Sequence, residues 1–380
     1  MGSDDALGLY VHIPFCEAKC TYCHFAIDPR RPDEERQERY TRALLLEMDA
    51  VEAGAADTLY FGGGTPSLLA AERLARILER ARRRFALPTG AEITVEANPR
   101  DLDQGGYRRL VELGATRLSL GVQSLDDAVL SEMGRHHTAR DSRQAVREAR
   151  SAGFTNLSLD VILGWPGETR ERFGRGLAEL LALEPDHVSL YVLEVDGKTV
   201  LTHRQKQGRL RLPDDDLVAE LYDETVARLA AQGLDRYEIS SFARPGLESR
   251  HNGKYWDDAP FMGFGMAAHS YRDGRRSWNH ERYATYCRAV EMGGGKAAQA
   301  SERRPSPRER AAEALFTGLR RREGVQLEEI HARYGIEPLV EWKDGLATAA
   351  RAGLVFVSDG RLHLSERGVL LSNEVFEIFV

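Results

Sequence analysis

Short β-rich segments alternate with helical patterns through the first two thirds of this 380-residue chain. A helix predicted over residues 35–51 carries Tyr40, Leu44 and Met48 on one face. Another is predicted to begin with Ser67 as its N-cap. Strands are predicted over residues 7–13, 57–61, 93–96, 117–122, 157–162, 187–193 and 237–242. Such alternation is typical of parallel βα units, and about six or seven units favour a full or partial (β/α) barrel over an open doubly wound sheet.

The last third of the chain has a different pattern. Residues 293–307 are rich in Gly, Ser and Pro, which predicts a linker between a first domain of residues 1–292 and a second of residues 308–380. Helices are predicted over residues 308–320 and 339–352. Strands over 354–357 and 361–364 flank Ser358-Asp359-Gly360, a strong hairpin signal. This order predicts a small α+β domain of winged-helix-like form.

Three of the four cysteines, Cys16, Cys20 and Cys23, form a C-x3-C-x2-C motif. Three thiolates can hold a four-iron cluster and leave one iron open to a small molecule. A structural zinc site wants four ligands, so zinc would need His24 or the distant Cys287. A disulfide framework fits a long, cysteine-poor chain less well. The spacing therefore favours an iron–sulfur cluster, with zinc as the alternative, and Cys287 is expected to be a buried small hydrophobe.

Composition narrows the classes of partner. The net charge of −7 gives no general attraction to nucleic acid, and the Arg-rich stretch after residue 302 is interspersed with Glu, as on solvated helices. No apolar run reaches the ~18–20 residues of a membrane span, and the N-terminus lacks the pattern of a signal peptide. Few cysteines, with thiolate-bound iron, suit a reducing compartment, so we expect the cytoplasm.

Polar signals follow several predicted strands. The cysteine motif comes after the first strand and a Gly-rich turn containing Gly63, Gly64 and Thr65 after the second. Glu96 and Asn98 close the third strand; Gln123 closes the fourth and Asp160 lies within the fifth. In a barrel, the carboxyl ends of all strands meet at one mouth. The sequence therefore predicts one site built from these segments.

The same segments resemble a known superfamily. Tyr10-Val-His-Ile-Pro-Phe-Cys16, the cysteine motif, Phe61-Gly-Gly-Gly-Thr-Pro66 and Thr94-Val-Glu-Ala-Asn-Pro99 are similar to the radical S-adenosylmethionine (SAM) proteins. Within this superfamily, the chain resembles the branch of the oxygen-independent coproporphyrinogen III oxidases and the radical-SAM haem chaperones. The resemblance implies a partial barrel of the radical-SAM type, a [4Fe-4S] cluster on the three cysteines, and S-adenosylmethionine on the open iron.

Cofactor contacts are carried over from the resemblance residue by residue. It implies that Tyr22 lies along the adenine and that Gly63, Gly64 and Thr65 contact the methionyl amino group. Glu96 would bind a cofactor hydroxyl. Tyr10, Gln123, Arg135 and Asp160 match further binding positions, the last three of which hold a second S-adenosylmethionine in the oxidase. The alternative for Arg135 and Asp160 is simple ion pairing at the barrel rim.

Two departures distinguish the branches. The oxidase pattern has a further cysteine two positions after the third ligand, where this chain has Phe25, and only nine residues precede Tyr10. Both features resemble the chaperones.

A second motif also resembles the chaperones: His251-Asn252-x-x-Tyr255-Trp256 matches one associated there with haem. His251 would be an axial iron ligand, Tyr255 and Trp256 would pack on the porphyrin, and Arg250 or Lys254 would meet a propionate. His269 is a second candidate ligand.

The resemblance thus predicts a haem chaperone that binds a [4Fe-4S] cluster, S-adenosylmethionine and haem. Its partners would be an electron donor for the cluster and a haem acceptor such as a respiratory enzyme, including a membrane-associated one; no nucleic acid is expected. Two enzymatic alternatives stay open. One is oxidative decarboxylation of coproporphyrinogen III; the other is radical chemistry on another tetrapyrrole, as in a haem-degrading methyltransferase.

Overall fold

A computed structural model describes residues 6–30, 32–195, 197 and 199–380. The strands of its larger sheet are β1 (Leu7–Ile13), β2 (Ala56–Gly63), β3 (Glu92–Ala97), β4 (Arg117–Gln123), β5 (Leu157–Leu163), β6 (His187–Val192), β7 (Asp235–Glu238), β8 (Ser241–Ala243), β9 (Phe261–Phe264), β10 (His269–Arg272), β11 (Arg275–Asn279) and β12 (Gln299–Arg303). The strand order is β12-β11-β10-β9-β1-β2-β3-β4-β5-β6-β8-β7. Strands β1 to β6 are parallel and follow chain order. The sheet stays open, which confirms the partial barrel.

Helices lie between most of these strands. They are α1 (Glu34–Ala50), α2 (Ala71–Arg84), α3 (Gln104–Leu113), α4 (Asp127–Met133), α5 (Ala139–Ala152), α6 (Arg170–Leu181), α7 (Val200–Lys206), α8 (Asp215–Ala230), α9 (Arg250–Trp256) and α10 (Tyr283–Gly293). Local signals explain several ends: Asp33 caps α1, and Gly114 and Gly153 end α3 and α5 in the left-handed region. Within the described ranges, no helix is both long and apolar enough to cross a bilayer.

The C-terminal part has its own core and a three-stranded antiparallel sheet. Its elements are α11 (Pro307–Gly318), β13 (Val325–Gln326), α12 (Leu327–Tyr334), α13 (Pro338–Glu341), α14 (Lys343–Arg351), β14 (Val355–Ser358), β15 (Arg361–Leu364), α15 (Glu366–Leu370) and α16 (Ser372–Phe376). The expected α+β domain is confirmed. The helix predicted over 339–352 is interrupted at Trp342, whose buried ring packs on Phe379.

Three local predictions differ from the structure. Ser67 is not the N-cap of α2: it lies in a 3-10 turn, Pro66–Leu68, and donates a hydrogen bond to Asp101. Residues 237–242 do not form one strand, because the chain turns at Ile239 and Ser240 and β8 returns antiparallel to β6. The predicted linker 293–307 contains a 3-10 turn, Gly295–Ala298, and β12, which pairs with β11. The domain division itself stays a prediction.

The barrel strands have one apolar and one polar face. In β1, Leu9 and Val11 are fully buried in the apolar core. The opposite face of the strands lines the lumen and carries buried polar residues, among them Thr58, Thr94, Arg117, Ser158 and His187. Helix α9 packs against β1 and β2 on this polar side, since His251 bonds Thr58. Thr58, Ser158 and His187 are hydrogen-bonded there. Thr94 Oγ1 and Arg117 Nε, by contrast, are buried with no hydrogen-bond partner among the described residues.

Candidate cofactor site at the mouth of the barrel

A cavity of about 940 Å³ lies at the carboxyl ends of the barrel strands. Most of the predicted site residues line it: Cys16, Cys20, Tyr22, Cys23, Gly63, Gly64, Thr65, Glu96, Gln123, Arg135 and Asp160. They come from β2, β3, β4 and β5 and from the loops that follow β1, β2 and α4. The expected convergence on one mouth is therefore found.

The cysteine loop is held in place by its backbone. Cys23 N donates to Cys20 O at 3.2 Å, and Thr21 N donates to the carbonyl oxygen of Met133 at 3.0 Å. Cys16 Sγ lies 3.4 Å from Thr65 Oγ1. Burial raises the pKa of the Cys16 thiol to about 11, and it also raises the pKa of Cys23. Loading with iron must therefore displace protons from these thiols.

The donor set fits an iron–sulfur cluster. Among the described residues, no three metal-ligating side chains lie close enough together to bind a single ion. A four-iron cluster uses a wider arrangement, because each thiolate binds a different iron. Three partly exposed thiols lining one cavity provide such an arrangement.

The Gly-rich turn requires glycine because it packs closely against β1 and the loop that follows β1. Gly63 has φ of 108°, and a Cβ there would lie 2.4 Å from the His12 ring. A Cβ on Gly64 would lie 2.7 Å from the carbonyl oxygen of Phe15. Gly64 N and Thr65 N donate to the carbonyl oxygens of Ile13 and Phe15, respectively. The turn is thus fixed beside the cysteine loop before any ligand binds.

Glu96 presents a buried carboxyl group to the cavity. Its Oε1 accepts a hydrogen bond from Tyr60 Oη at 2.7 Å, and its Oε2 accepts one from Gly63 N at 3.2 Å. Burial raises the pKa of Glu96 to about 7, although these two hydrogen bonds oppose the shift. The group can accept hydrogen bonds from a ligand hydroxyl in this position.

Arg135 connects several parts of the mouth. It donates to Gly121 O at 2.7 Å, to the side chain of Asn98, and to Cys20 Sγ at 3.7 Å. Asn98 in turn donates to Thr65 Oγ1 at 3.2 Å. Asn98 was not among the predicted ligand residues, although it stands in the same strand-end motif as Glu96. A cation beside the cysteine loop stabilises thiolates.

Asp160 does not pair with Arg135. Its carboxylate accepts hydrogen bonds from Ser119 at 2.9 Å and Ser158 at 3.2 Å, and burial raises its pKa. Gln123 has φ of 63°, a conformation that is uncommon for residues other than glycine and is found at many functional sites. The alternative role of Arg135 or Asp160, an ion pair with a neighbour at the barrel rim, is not seen, because neither forms an ion pair with a described residue.

Tyr22 and Tyr10, both predicted to contact a cofactor, differ in whether they line the cavity. Tyr22 lines the cavity and packs edge-on against Trp165, with ring centroids 6.1 Å apart. Tyr10 is absent from the lining residues; its ring stacks on Tyr60 and its hydroxyl bonds His12 at 3.0 Å. Tyr10 thus supports the Gly-rich turn from the lumen.

The haem motif on α9 lies away from the cavity. His251 is 1% exposed, and both ring nitrogens are hydrogen-bonded at 2.9 Å, to Thr58 and to Tyr255. Burial lowers the pKa of His251 to about 3. None of the four motif residues lines the cavity: His251, Asn252, Tyr255 and Trp256.

The other candidate haem contacts are also engaged elsewhere. Arg250 and Lys254 both form ion pairs with Asp57, and the ring of His269 stacks on Trp278. Lys254 is buried, whereas Arg250 and His269 are exposed at the surface, away from the cavity. Cys287 is fully buried, as expected.

No sequence pattern was strong enough to predict a further part of the cavity, its apolar arm. We use this name for the part lined by β6, α8 and the C-terminal domain: Tyr191, Val192, Leu193, Val218, Tyr222, Val369, Leu370 and Leu371. Tyr191 and Val192 are 48% and 45% exposed, which is unusual for apolar residues at a strand end. Arg367 lines the same region. The same segments also contribute charged lining residues, among them Glu194, Asp215 and Asp216. The cavity therefore joins a polar, thiol-bearing end to a more apolar end.

Sequence similarity to known proteins extends over nearly the whole chain. A family model described as the radical SAM superfamily matches residues 10–180, and a model of the HemN C-terminal domain matches residues 306–371. The heme chaperone HemW of Bacillus subtilis strain 168 is 36% identical over 379 residues, which cover 98% of each chain. The heme chaperone HemW of Mycobacterium tuberculosis strain H37Rv is 36% identical over 360 residues, covering 93% of this chain and 92% of the relative.

Among solved structures, coproporphyrinogen III oxidase (HemN) from Escherichia coli has a TM-score of 0.84. The match covers 99% of this chain and 90% of that structure, at 23% sequence identity. At this level of identity, the similarity shows the fold alone.

Proposed function

Because the chain belongs to the HemW family of the radical SAM superfamily, we propose that it is a haem chaperone that binds a [4Fe-4S] cluster, S-adenosylmethionine and haem. The observation that carries this proposal is the two-ended cavity of about 940 Å³. One end offers three thiols, a glycine turn and a carboxyl group, and the other offers an apolar surface. Pockets of about 300–1,000 Å³ suit cofactors and other small ligands.

The polar end would hold the cluster and S-adenosylmethionine. Cys16, Cys20 and Cys23 would bind three irons, and Arg135 would balance the charge of the thiolates. Glu96 would accept a hydrogen bond from a cofactor hydroxyl. When bound, the cluster supplies an electron to S-adenosylmethionine. This chain's own residues orient the cofactor and limit access of water.

The apolar arm is our proposed haem site. Its exposed Tyr191 and Val192 offer a surface for a flat macrocycle, and Arg367, which also lines the cavity, would meet a propionate. His251 serves a different purpose in this proposal: it holds α9 in the lumen through Thr58. Haem would pass from this site to an acceptor such as a respiratory enzyme, including a membrane-associated one. The proposed compartment is the cytoplasm, where thiols stay reduced.

Haem titration of the anaerobically reconstituted protein tests the site. Val192→Glu places a charge in the apolar arm, so the Kd for haem, followed at the Soret band, should rise about tenfold or more. The matched control is Val357→Glu, because Val357 is 49% exposed but lies on the C-terminal hairpin. Unchanged binding in Val192→Glu, together with a lost Soret shift in a folded His251→Leu variant, would reject the arm and favour His251 as ligand.

A second assay separates this proposal from the oxidase alternative. Phe25, at the position of the oxidase cysteine, is 60% exposed and lines the cavity. Incubation with coproporphyrinogen III, S-adenosylmethionine and a reductant under anaerobic conditions should give no protoporphyrinogen. Its formation at a rate that depends on the three cysteines would overturn the chaperone proposal.

A further inference from the structure

A basic patch lies on α7 and the loop that follows it. Residues 203–211 contain four Lys or Arg residues and no Asp or Glu, in a chain whose net charge is −7. All four cationic side chains belong to exposed residues, and we define the basic patch by them: Arg204, Lys206, Arg209 and Arg211. A positive surface on an otherwise acidic protein attracts acidic partners.

The charges of the basic patch have no partner within the described part of the chain. None of the four side chains forms an ion pair or hydrogen bond with another described residue. Elsewhere the surface arginines are commonly paired, as Arg143 is with Glu179 and Arg170 with Glu220. The four cations are therefore not neutralised by direct ion pairs among the described residues.

Three of these arginines surround a second cavity of about 610 Å³. Trp165, Leu201 and Leu210 also line it, so an apolar floor lies inside a cationic rim. Two carboxyl groups, those of Glu132 and Glu168, also line this cavity, and neither forms an ion pair with a described arginine of the rim. Glu132 accepts a hydrogen bond from Trp165 Nε1 at 3.0 Å, and Glu168 accepts one from Gly164 N at 2.6 Å. An apolar centre with a polar rim is the usual form of a protein interface.

The basic patch is directly connected to the cysteine loop. Leu201 N, in the first turn of α7, donates to the carbonyl oxygen of Thr21 at 3.0 Å. Thr21 stands between Cys20 and Cys23. In addition, Trp165 on the cavity floor packs against Tyr22. A protein docked on this surface would therefore lie against the segment that carries two of the three proposed cluster ligands.

We infer that the basic patch and its cavity are the docking surface for a small acidic electron-carrier protein that reduces the cluster. The inference rests on the proposed function, because it requires a cluster at the cysteine loop. The reduced carrier loses one electron and the cluster gains it; no bond is formed or broken. A concave surface connected to the cysteine loop favours a protein carrier over a lipid bilayer, for which apolar side chains should protrude from the patch.

Binding of an acidic plant-type ferredoxin tests the inference. The Kd for the oxidised ferredoxin, measured by calorimetry on the reconstituted protein at low salt, should rise about tenfold or more in Arg204→Glu/Arg209→Glu. It should also rise steeply with salt in the wild type. The control is Arg108→Glu/Arg288→Glu, which changes the same charge on α3 and α10 at exposed residues. The control Kd should stay within about twofold of the wild-type value.

A kinetic measurement adds a second readout. Reduction of the cluster by reduced ferredoxin should slow in the patch variant, whereas reduction by dithionite should keep its wild-type rate. Equal ferredoxin Kd values in the patch variant and the wild type would overturn the inference. So would an unchanged ferredoxin Kd with lost binding to phosphatidylserine vesicles, which would assign the patch to a membrane surface. Failure of the haem titration would reject the proposed haem site and leave the ferredoxin result independent of it.

Discussion

Glu47 of α1 is buried in a network around the loop after β9. Its Oε2 accepts hydrogen bonds from Gly265 N at 2.9 Å and Tyr286 Oη at 2.6 Å, and its Oε1 accepts one from Asn279 Nδ2 at 2.6 Å. Burial nevertheless raises the pKa of Glu47 from 4.5 to about 7. The carboxyl group is therefore protonated in the folded protein at a pH where the unfolded chain has lost the proton.

The size and sign of the effect follow from that shift. One pKa unit corresponds to about 1.4 kcal/mol, so raising the pKa of Glu47 from 4.5 to about 7 is worth roughly 3 kcal/mol. Since the folded state binds more protons, the contribution is fully present below pH 4.5 and is lost as the pH rises to about 7. In Glu47→Gln the side chain does not titrate, so the variant lacks this pH-dependent contribution. The free energy of unfolding of the variant, relative to wild type, should thus increase by up to roughly 3 kcal/mol between pH 5 and pH 8.

Urea denaturation followed by circular dichroism at several values between pH 5 and pH 8 provides the assay. Comparison with the wild type removes the contributions of other titrating groups. Glu72→Gln is the control: Glu72 is exposed on α2, and its curve should run parallel to that of the wild type. A constant difference between Glu47→Gln and wild type at all pH values would refute the reasoning.

Two other substitutions test a steric contact and a hydrogen bond. Gly63→Ala should lower the free energy of unfolding by about 3 kcal/mol or more, because φ is 108° and the new Cβ would lie 2.4 Å from His12. Gly90→Ala, with nothing within 4 Å of its Cβ, is the control in urea denaturation, and equal losses would contradict the steric account. Asp258→Asn should increase hydrogen exchange in α12, because Asp258 accepts a hydrogen bond from Tyr334 across the domain contact. Unchanged exchange would show that this bond does not hold the domains together.

Much of the barrel could be predicted because its signals are local. Alternation of β-rich and helical segments gave strands β1 to β6 with ends close to those observed, and β1 matched Leu7–Ile13. The strand-end motifs meet at one mouth because parallel strands share a direction. By contrast, the turn at Ile239 and Ser240 has no glycine or proline, so residues 237–242 resemble one uninterrupted strand.

Residue roles that depend on contacts between distant parts of the chain could not be predicted. The surroundings of His251 come from Thr58 and Glu92, which are 193 and 159 positions away along the chain. No local pattern distinguishes a buried, hydrogen-bonded histidine from an iron ligand. The same limit applies to the apolar arm, since Val192 and Leu370 line one cavity although they lie far apart along the chain.

The seven-residue helix α9 supports two parts of the molecule at once. Its His251 side fills the barrel lumen, while Trp256 lies beneath the guanidinium of Arg320, 4.6 Å from the ring centroid, at the start of the C-terminal domain. Damage to this helix would therefore disturb both the barrel lumen and the contact with the C-terminal domain. A mutant of the motif that fails to retain haem would, on its own, say nothing about which atom coordinates the iron.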